Sequence, residues 1–536
     1  MTDAPTPAAA APSVPGGGTE GQLEAIRAGY AFAGPAIDLG AAVINLQAHP
    51  DIPVTIPLGV FNRHGLVAGA TGTGKTKTLQ LMAEQLSQGG VPVFLADIKG
   101  DLSGMATAGV TSDRVTSRAA DVGQQWRGTA YPVEFYSLGG QGTGIPMRAS
   151  VTSFGPTLLA KVLGLNETQE SSLGLVFHYA DAQGLALLDL KDLRAVISHL
   201  TSDEGKAELK SLGGLSSATA GVILRELIAF SDQGADVFFG EPELDTRDLL
   251  RVGADGRGVV SMLELPAVQD RPALFSTFLM WLLADLFHDL PEVGDVDKPK
   301  LVFFFDEAHL LFRDASKDFV GSIEQTVRLI RSKGVGVFFV TQSPRDVPSG
   351  VLAQLGNRVQ HALRAFTPDD AKALKAAVST YPHSEYDLQQ LLTQLGTGEA
   401  IITVLSERGA PTPVAWTRMR APQSLMAPSS PEAVDAVVAA SPNTSRYAAA
   451  VDRESAYELL AARLAAVPVQ DAPAPAPAAE RAPAPAPRPA RPEKEEPGVI
   501  GQVVQSSAFR SMLRSAGTVI GREITRSLFG TARRGR

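Results

Sequence analysis

Short apolar runs recur along the middle of the chain, most of them closed by glycine, aspartate or a polar pair. They are Leu66-Val67-Ala68, Val91 to Asp97, Pro132 to Tyr136, Gly258 to Leu265, Leu301 to Asp306, Val335 to Thr341 and Asn357 to Leu363. Most are continuously apolar rather than alternating, which is the pattern of strands covered on both faces of a sheet. Helical spacing of apolar residues lies between them, as in Thr78-Leu79-Gln80-Leu81-Met82-Ala83-Glu84-Gln85-Leu86. This βαβ alternation predicts an α/β fold with a doubly wound, mostly parallel sheet and helices on both faces. Ala400 to Leu405 and Pro411 to Arg418 flank Ser406 to Ala410 and read as a closing β-hairpin.

The same pattern divides the chain. Residues 1–22, rich in Ala, Pro and Gly, read as disordered, and 23–152 as a short lead-in (23–62) followed by the first part of the core. Residues 153–250 are mostly helical in pattern and read as an insertion, 251–420 as the second part of the core and 421–468 as a helical extension. An Ala-Pro and charged linker follows at 469–497, stiff and extended rather than folded. In the tail, 498–536, Phe509, Met512, Leu513, Ala516, Ile520, Ile524 and Leu528 recur at three- and four-residue steps. Arg510, Arg514, Arg522 and Arg526 fall on the other side, which predicts a basic amphipathic C-terminal helix. Such a helix can dock on its own protein or a sister subunit, touch nucleic acid or lie on a membrane surface.

Composition narrows the class. Of 536 residues 44% are hydrophobic and 20% charged, ordinary for a globular protein, and there is no cysteine. Disulfides and thiol chemistry are therefore excluded, which fits a cytoplasmic location. The N-terminus lacks the basic start and apolar core of a signal peptide. The apolar run Leu274 to Ala284 is too short to span a bilayer and predicts a buried helix, so no integral membrane association is expected. The net charge of −9 argues against a nucleic-acid-coating protein but leaves room for a local basic channel.

The strongest chemical signal is Gly69-Ala70-Thr71-Gly72-Thr73-Gly74-Lys75-Thr76, a complete G-x-x-x-x-G-K-[ST] loop between an apolar strand and a helix. Its glycines let backbone N–H groups curl around a phosphate at a helix N-terminus. Lys75 is placed for the β- and γ-phosphates of ATP and Thr76 for Mg²⁺. Asp306 and Glu307 end an apolar strand, the first suited to ordering Mg²⁺ and the second to polarising a water. Asp97, before Ile98-Lys99-Gly100-Asp101, is either a second acid supporting Mg²⁺ or the water, or a turn residue. Gln342 either senses the γ-phosphate or caps a turn. Arg328 and Arg331 lie one helical turn apart, and Arg331 is the candidate for charge neutralisation from a neighbouring subunit, against two solvated helix arginines. Arg63 is placed to contact nucleotide from its own subunit or to serve the structure.

Together, Asn62-Arg63-His64-Gly65, Asp97, Asp306-Glu307-Ala308-His309 and Thr341-Gln342-Ser343-Pro344 resemble the HerA/FtsK group of P-loop ATPases, and most of all its bacterial HerA-like helicase branch. The resemblance covers roughly residues 50–420. It implies a RecA-like P-loop NTPase core in a ring, a hexameric homo-oligomer, with ATP and Mg²⁺ held by Lys75 and Thr76. It makes Glu307 catalytic and Gln342 the sensor, with Arg331 serving the adjacent subunit. The better-known members move along double-stranded DNA through the ring. The chain departs from HerA proper, which has an N-terminal β-barrel, and from FtsK, which has membrane helices and a C-terminal DNA-reading domain.

Three functions follow as expectations. The first is an ATP-hydrolysing motor translocating on double-stranded DNA. The second is a regulatory or assembly ATPase that switches an unknown protein partner through the insertion or the tail. The third is phosphoryl transfer to a small acceptor, against which Glu307 beside Asp306 argues because it favours water.

Overall fold

The structure, a computed structural model, describes residues 20–466 except 210–212, 295 and 314. One twelve-stranded sheet runs through it: β1 (Ala36–Ile44), β2 (Gln47–Pro57), β3 (Gly65–Ala68), β4 (Val93–Asp97), β5 (Val133–Leu138), β6 (Ile145–Met147), β7 (Val260–Glu264), β8 (Leu301–Phe305), β9 (Val335–Thr341), β10 (Asn357–Gln360), β11 (Glu399–Thr403) and β12 (Ala415–Met419). The spatial order is β2-β1-β12-β11-β10-β3-β9-β8-β4-β7-β5-β6. From β10 to β6 every pairing is parallel, and β11, β12, β1 and β2 extend the sheet antiparallel. Each strand read from the sequence, hairpin included, overlaps one of these strands. The mixed sheet with many helices is the RecA-like P-loop fold.

The continuously apolar strands are explained by their two covers. In β8, Phe303 and Phe305 enter one hydrophobic cluster while Val302 and Phe304 enter another on the opposite face. In β9, Val337 and Phe339 face the first cluster, Phe338 and Val340 the second. Helices α1 (Glu20–Gly29) and α2 (Lys75–Gln88) supply Ile26, Leu79, Met82 and Leu86 to the second cluster.

After α3 (Asp113–Asp121), helices α4 (Val151–Val162), α5 (Glu167–Ala182), α6 (Leu190–Thr201), α7 (Asp203–Leu209) and α8 (Ser217–Asp232) make up the helical stretch. Ser150, Asn166, Asp189 and Ser216 each cap the helix that follows by accepting from the backbone N–H three residues on. Leu173, Val176 and Leu193 join the same cluster as Phe303 and Phe305, so these helices share the core of the sheet rather than having their own. Helices α9 (Pro272–Asp289) and α11 (Lys317–Ile330) cover the same face, with the short α10 (His309–Phe312) between them in sequence. The run Leu274 to Ala284 is thus the buried helix α9, and no helix among the described residues is long and apolar enough to cross a membrane. Short α12 (Ser349–Leu352), then α13 (Pro368–Val378) and α14 (Leu388–Gln394), precede the hairpin, and α15 (Pro431–Ala440), α16 (Pro442–Tyr447) and α17 (Ala456–Ala466) close the described chain.

Two stretches differ from the sequence reading. Helix α1 starts at Glu20, so the last residues of 1–22 are helical. The lead-in 23–62 holds β1 and β2, nowhere read as strands. Pro50, Pro53 and Pro57 disguise β2, and they are tolerated because β2 lies at the edge of the sheet, where missing N–H donors break no ladder. Asp38 and Gly40 interrupt β1, and the register slips between them. The rest of the start read as disordered, the Ala-Pro stretch read as a linker and the expected basic C-terminal helix lie outside the described residues.

Candidate nucleotide site

Because the central strands are parallel, the loops at their C-terminal ends converge on one edge of the sheet, the usual place for a ligand in such folds. The glycine-rich loop leaves β3 there. Gly69 N–H donates to the Thr341 carbonyl at 3.2 Å, and Ala70 N–H to the Ala362 carbonyl at 2.8 Å. The loop is therefore clamped to the ends of β9 and β10. Gly74 opens α2 in the left-handed region, at φ 113°, with Gly398 so close that a Cβ would lie 3.2 Å from its nitrogen. No side-chain-bearing residue suits that position. Lys75 folds over the loop and donates to the Ala70 carbonyl at 3.1 Å, and its burial lowers its pKa. Thr76 is half-buried in the first turn of α2.

His361, unnoticed in the sequence, supports the loop from below. The Glu399 carbonyl, 2.8 Å from Nδ1, can only accept, which puts the proton on Nδ1 and leaves Nε2 to accept from the Thr78 hydroxyl at 2.9 Å. Complete burial pushes the imidazole down to about 4, so it stays neutral. A lone histidine ending an apolar strand carried no signal that could have singled it out.

Asp306 and Glu307 follow β8 at the same edge. Asp306 is buried, its Oδ2 has no hydrogen-bond partner, and burial together with Glu307 and Asp97 pushes it up to about 7. Carboxylate oxygens of Asp97, Asp101 and Asp306 all lie within 4.8 Å of one another. An orphaned, buried carboxylate oxygen beside further acids fits a divalent cation, which would supply the missing positive charge. Asp97 shows both features the sequence left open. Its oxygens accept from the N–H groups of Lys99, Gly100 and Leu102 at 3.1, 2.8 and 2.8 Å, so it holds the turn, and it also belongs to the acidic group. Glu264, at the end of β7, is pushed up to about 8 by burial and by Asp97 and Asp101.

Glu307 occupies φ 47°, the left-handed region, which costs a non-glycine residue about 1–2 kcal/mol and turns its side chain into the cleft. Its Oε1 pairs with the Lys99 ammonium, and its Oε2 accepts from Gln342 Nε2 at 3.4 Å. His309 Nδ1 lies 3.2 Å from Oε2 but without hydrogen-bond geometry. Burial alone would raise the Glu307 carboxyl, but Lys99 outweighs it and holds it below the usual range. Asp346 accepts from the Thr341 hydroxyl and the Ser343 N–H, both at 2.8 Å, and so fixes the turn that presents Gln342. Lys99 stood in view beside Asp97 in the sequence, yet nothing local linked it to Glu307, which is far away along the chain.

The structure thus brings together Gly69 to Thr76, Asp97, Asp306, Glu307 and Gln342. It does not bring Arg63 or Arg331 to them. Arg63 precedes β3 at the opposite edge, its carbonyl accepting from Gly356 and its guanidinium beside Gly409. Arg331 is exposed after α11, separated from Gln342 by β9, about 20 Å of strand.

A family model described as Helicase HerA-like C-terminal matches residues 43–536. Among individual relatives, the "Probable helicase MJECL08" of Methanocaldococcus jannaschii is 32% identical over 150 residues, 27% of this chain and 28% of the relative. The "DNA double-strand break repair helicase HerA" of Sulfolobus acidocaldarius is 21% identical over 66% of this chain and 64% of its own. The chain therefore matches less than two thirds of the length of either. Among solved structures, the bacterial conjugative coupling protein TrwB, unbound, superposes with a TM-score of 0.51 at 15% identity over 76% of this chain and 94% of its own, a likeness of fold.

Proposed function

The chain belongs to the HerA-like C-terminal helicase family, and from that membership we propose that it is an ATP-hydrolysing motor acting as a ring-shaped homo-oligomer on double-stranded DNA. The observation that carries the hydrolytic part is Glu307, turned into the cleft at a left-handed backbone position and hydrogen-bonded to Gln342, at the edge that holds the lysine loop. The loop N–H groups and Lys75 bind the β- and γ-phosphates, and Thr76 and Asp306 hold Mg²⁺, which neutralises charge on the phosphate oxygens when bound. Glu307 accepts the proton of the attacking water, Gln342 orients that water, and Asp97 fixes the turn beside them. Arg331 contacts the nucleotide of the neighbouring subunit, a role compatible with its exposure at the opposite edge.

The DNA part rests on the family and on the HerA relatives' printed names, and its test is separate. ATP turnover of the full chain with and without duplex DNA at low salt should rise on adding DNA. An unchanged rate in an intact ring would remove DNA as the substrate and move the reading to an assembly ATPase that switches a protein partner. Deleting residues 498–536 then discriminates, because that second reading expects full turnover with partner binding lost.

A further inference from the structure

Lys99 is the cation that pairs with the proposed base. It stands on the Asp97-held turn after β4, and its ammonium pairs with Glu307 Oε1. Its charge also acts on Asp306 and on Lys75, so the three groups lie within electrostatic reach of one another. The Lys99 side chain is 47% exposed while that of Glu307 is 7% exposed. The ammonium is therefore open to solvent while the carboxylate it pairs with is buried. With Oε1 held by Lys99 and Oε2 by Gln342, the carboxylate is engaged at both oxygens. A terminal phosphate carries about two negative charges and three acceptor oxygens, and competes well against a single carboxylate for one ammonium.

We propose that Lys99 is a γ-phosphate ligand that locks Glu307 in the absence of triphosphate and frees it by transferring its ammonium to the γ-phosphate of bound ATP. This rests on the reading of Glu307 as the base. ADP, which lacks the γ-phosphate, leaves the lock closed, so the base is released only when a substrate is present. The same transfer sets a second cation from the chain's own subunit on the phosphoryl group, in addition to Lys75. Lys99 thereby reads the difference between substrate and product, whereas the loop N–H groups hold the β-phosphate in both.

The test uses the full chain carrying Lys99→Met, Lys99→Arg or Glu307→Gln, and the Lys99→Met/Glu307→Gln pair, with thermal melting as the check of folding. Affinities for ATP and ADP are read by titration with labelled nucleotide, and turnover by phosphate release. Lys99→Met should weaken ATP roughly ten- to hundredfold while ADP affinity stays within twofold, the effect of losing one charge-assisted contact. Lys99→Arg should restore most of the ATP preference. Glu307→Gln alone should tighten ATP a few fold, because the lysine no longer leaves a carboxylate, and adding Lys99→Met should abolish that gain. A folded Lys99→Met chain with the parent ATP-to-ADP ratio would overturn the proposal. So would a Glu307→Gln chain whose ATP affinity is unchanged. Failure of the underlying reading looks different: Glu307→Gln would hydrolyse ATP at the parent rate, with the affinity ratios still reporting on Lys99.

Discussion

The two edges of the parallel sheet are built from similar residues and differ in what those residues are left free to do. At the C-terminal edge, Lys75, Lys99, Asp306, Glu307 and Gln342 come together, with Asp97 pinning the Lys99 turn, Asp346 the Gln342 turn and His361 the phosphate loop. At the N-terminal edge, Arg63 lies against Gly409, and His64 Nδ1 accepts from the Val337 N–H at 3.1 Å. There Asn357 donates to the carbonyls of Val60 and His64 at 3.1 and 2.9 Å. Each edge has one fully buried histidine, but His361 braces the phosphate loop and His64 braces only the entry to β3. One edge is organised for chemistry within the chain. The other is organised to hold the strands and exposes Arg331 to whatever lies outside.

The sharpest way to break this contrast is at the loop. Lys75→Ala should abolish nucleotide-dependent activity, and measurable ATP turnover by it would undo the assignment of the C-terminal edge. Next, Arg331→Ala should lower turnover about a thousandfold or more, since a transition-state arginine is worth that much. Its ATP affinity should change far less than its turnover, because such an arginine acts mainly on the charge of the transition state. Mixing it with Glu307→Gln subunits should restore part of the activity, and no recovery at any ratio would leave the N-terminal edge without a catalytic role. Glu307→Gln by itself should bind ATP and lose about a hundred- to ten-thousandfold in turnover, as expected for a lost general base.

The histidines sharpen the comparison. His361→Ala strands the Glu399 carbonyl and the Thr78 hydroxyl, which should cost about 2–4 kcal/mol in denaturant unfolding and weaken ATP binding as well. His64→Ala should cost a similar amount and leave ATP affinity unchanged, so equal effects of both on ATP would erase the distinction between the edges. Burial holds both rings down to about 4, below the ordinary value of 6.5. The stability they contribute as neutral groups is therefore complete above pH 6.5 and is lost as the pH falls from 6.5 towards 4, by at most roughly 3 kcal/mol each. Melting temperature against pH should show this slope, and a chain lacking both rings should lose it.

Much of this could be read along the chain. The continuous apolar runs of β4, β8 and β9 marked covered parallel strands, and the capped helices of 153–250 stood out by their spacing. The loop at Gly69, Asp306 and Glu307 were legible because each is a local string whose chemistry depends on adjacent residues. The strands β1 and β2 were hidden, since edge position tolerates the prolines that argue against a strand. Lys99 and His361 were hidden for another reason: their partners, Glu307, Thr78 and Glu399, are distant in sequence.

The sequence by itself therefore determined a phosphate loop, a pair of acids after a strand and an α/β fold with a mostly parallel sheet, because periodicity and short motifs act over a few residues. The RecA kind of that fold came from the resemblance to a family. Only the tertiary structure decided which charges meet. Strand order set β4 beside β8, and that adjacency paired Lys99 with Glu307; strand direction sent Gln342 to the cleft and Arg331 to the far edge. Electrostatic contact needs proximity in space, and proximity between distant segments is a property of the sheet.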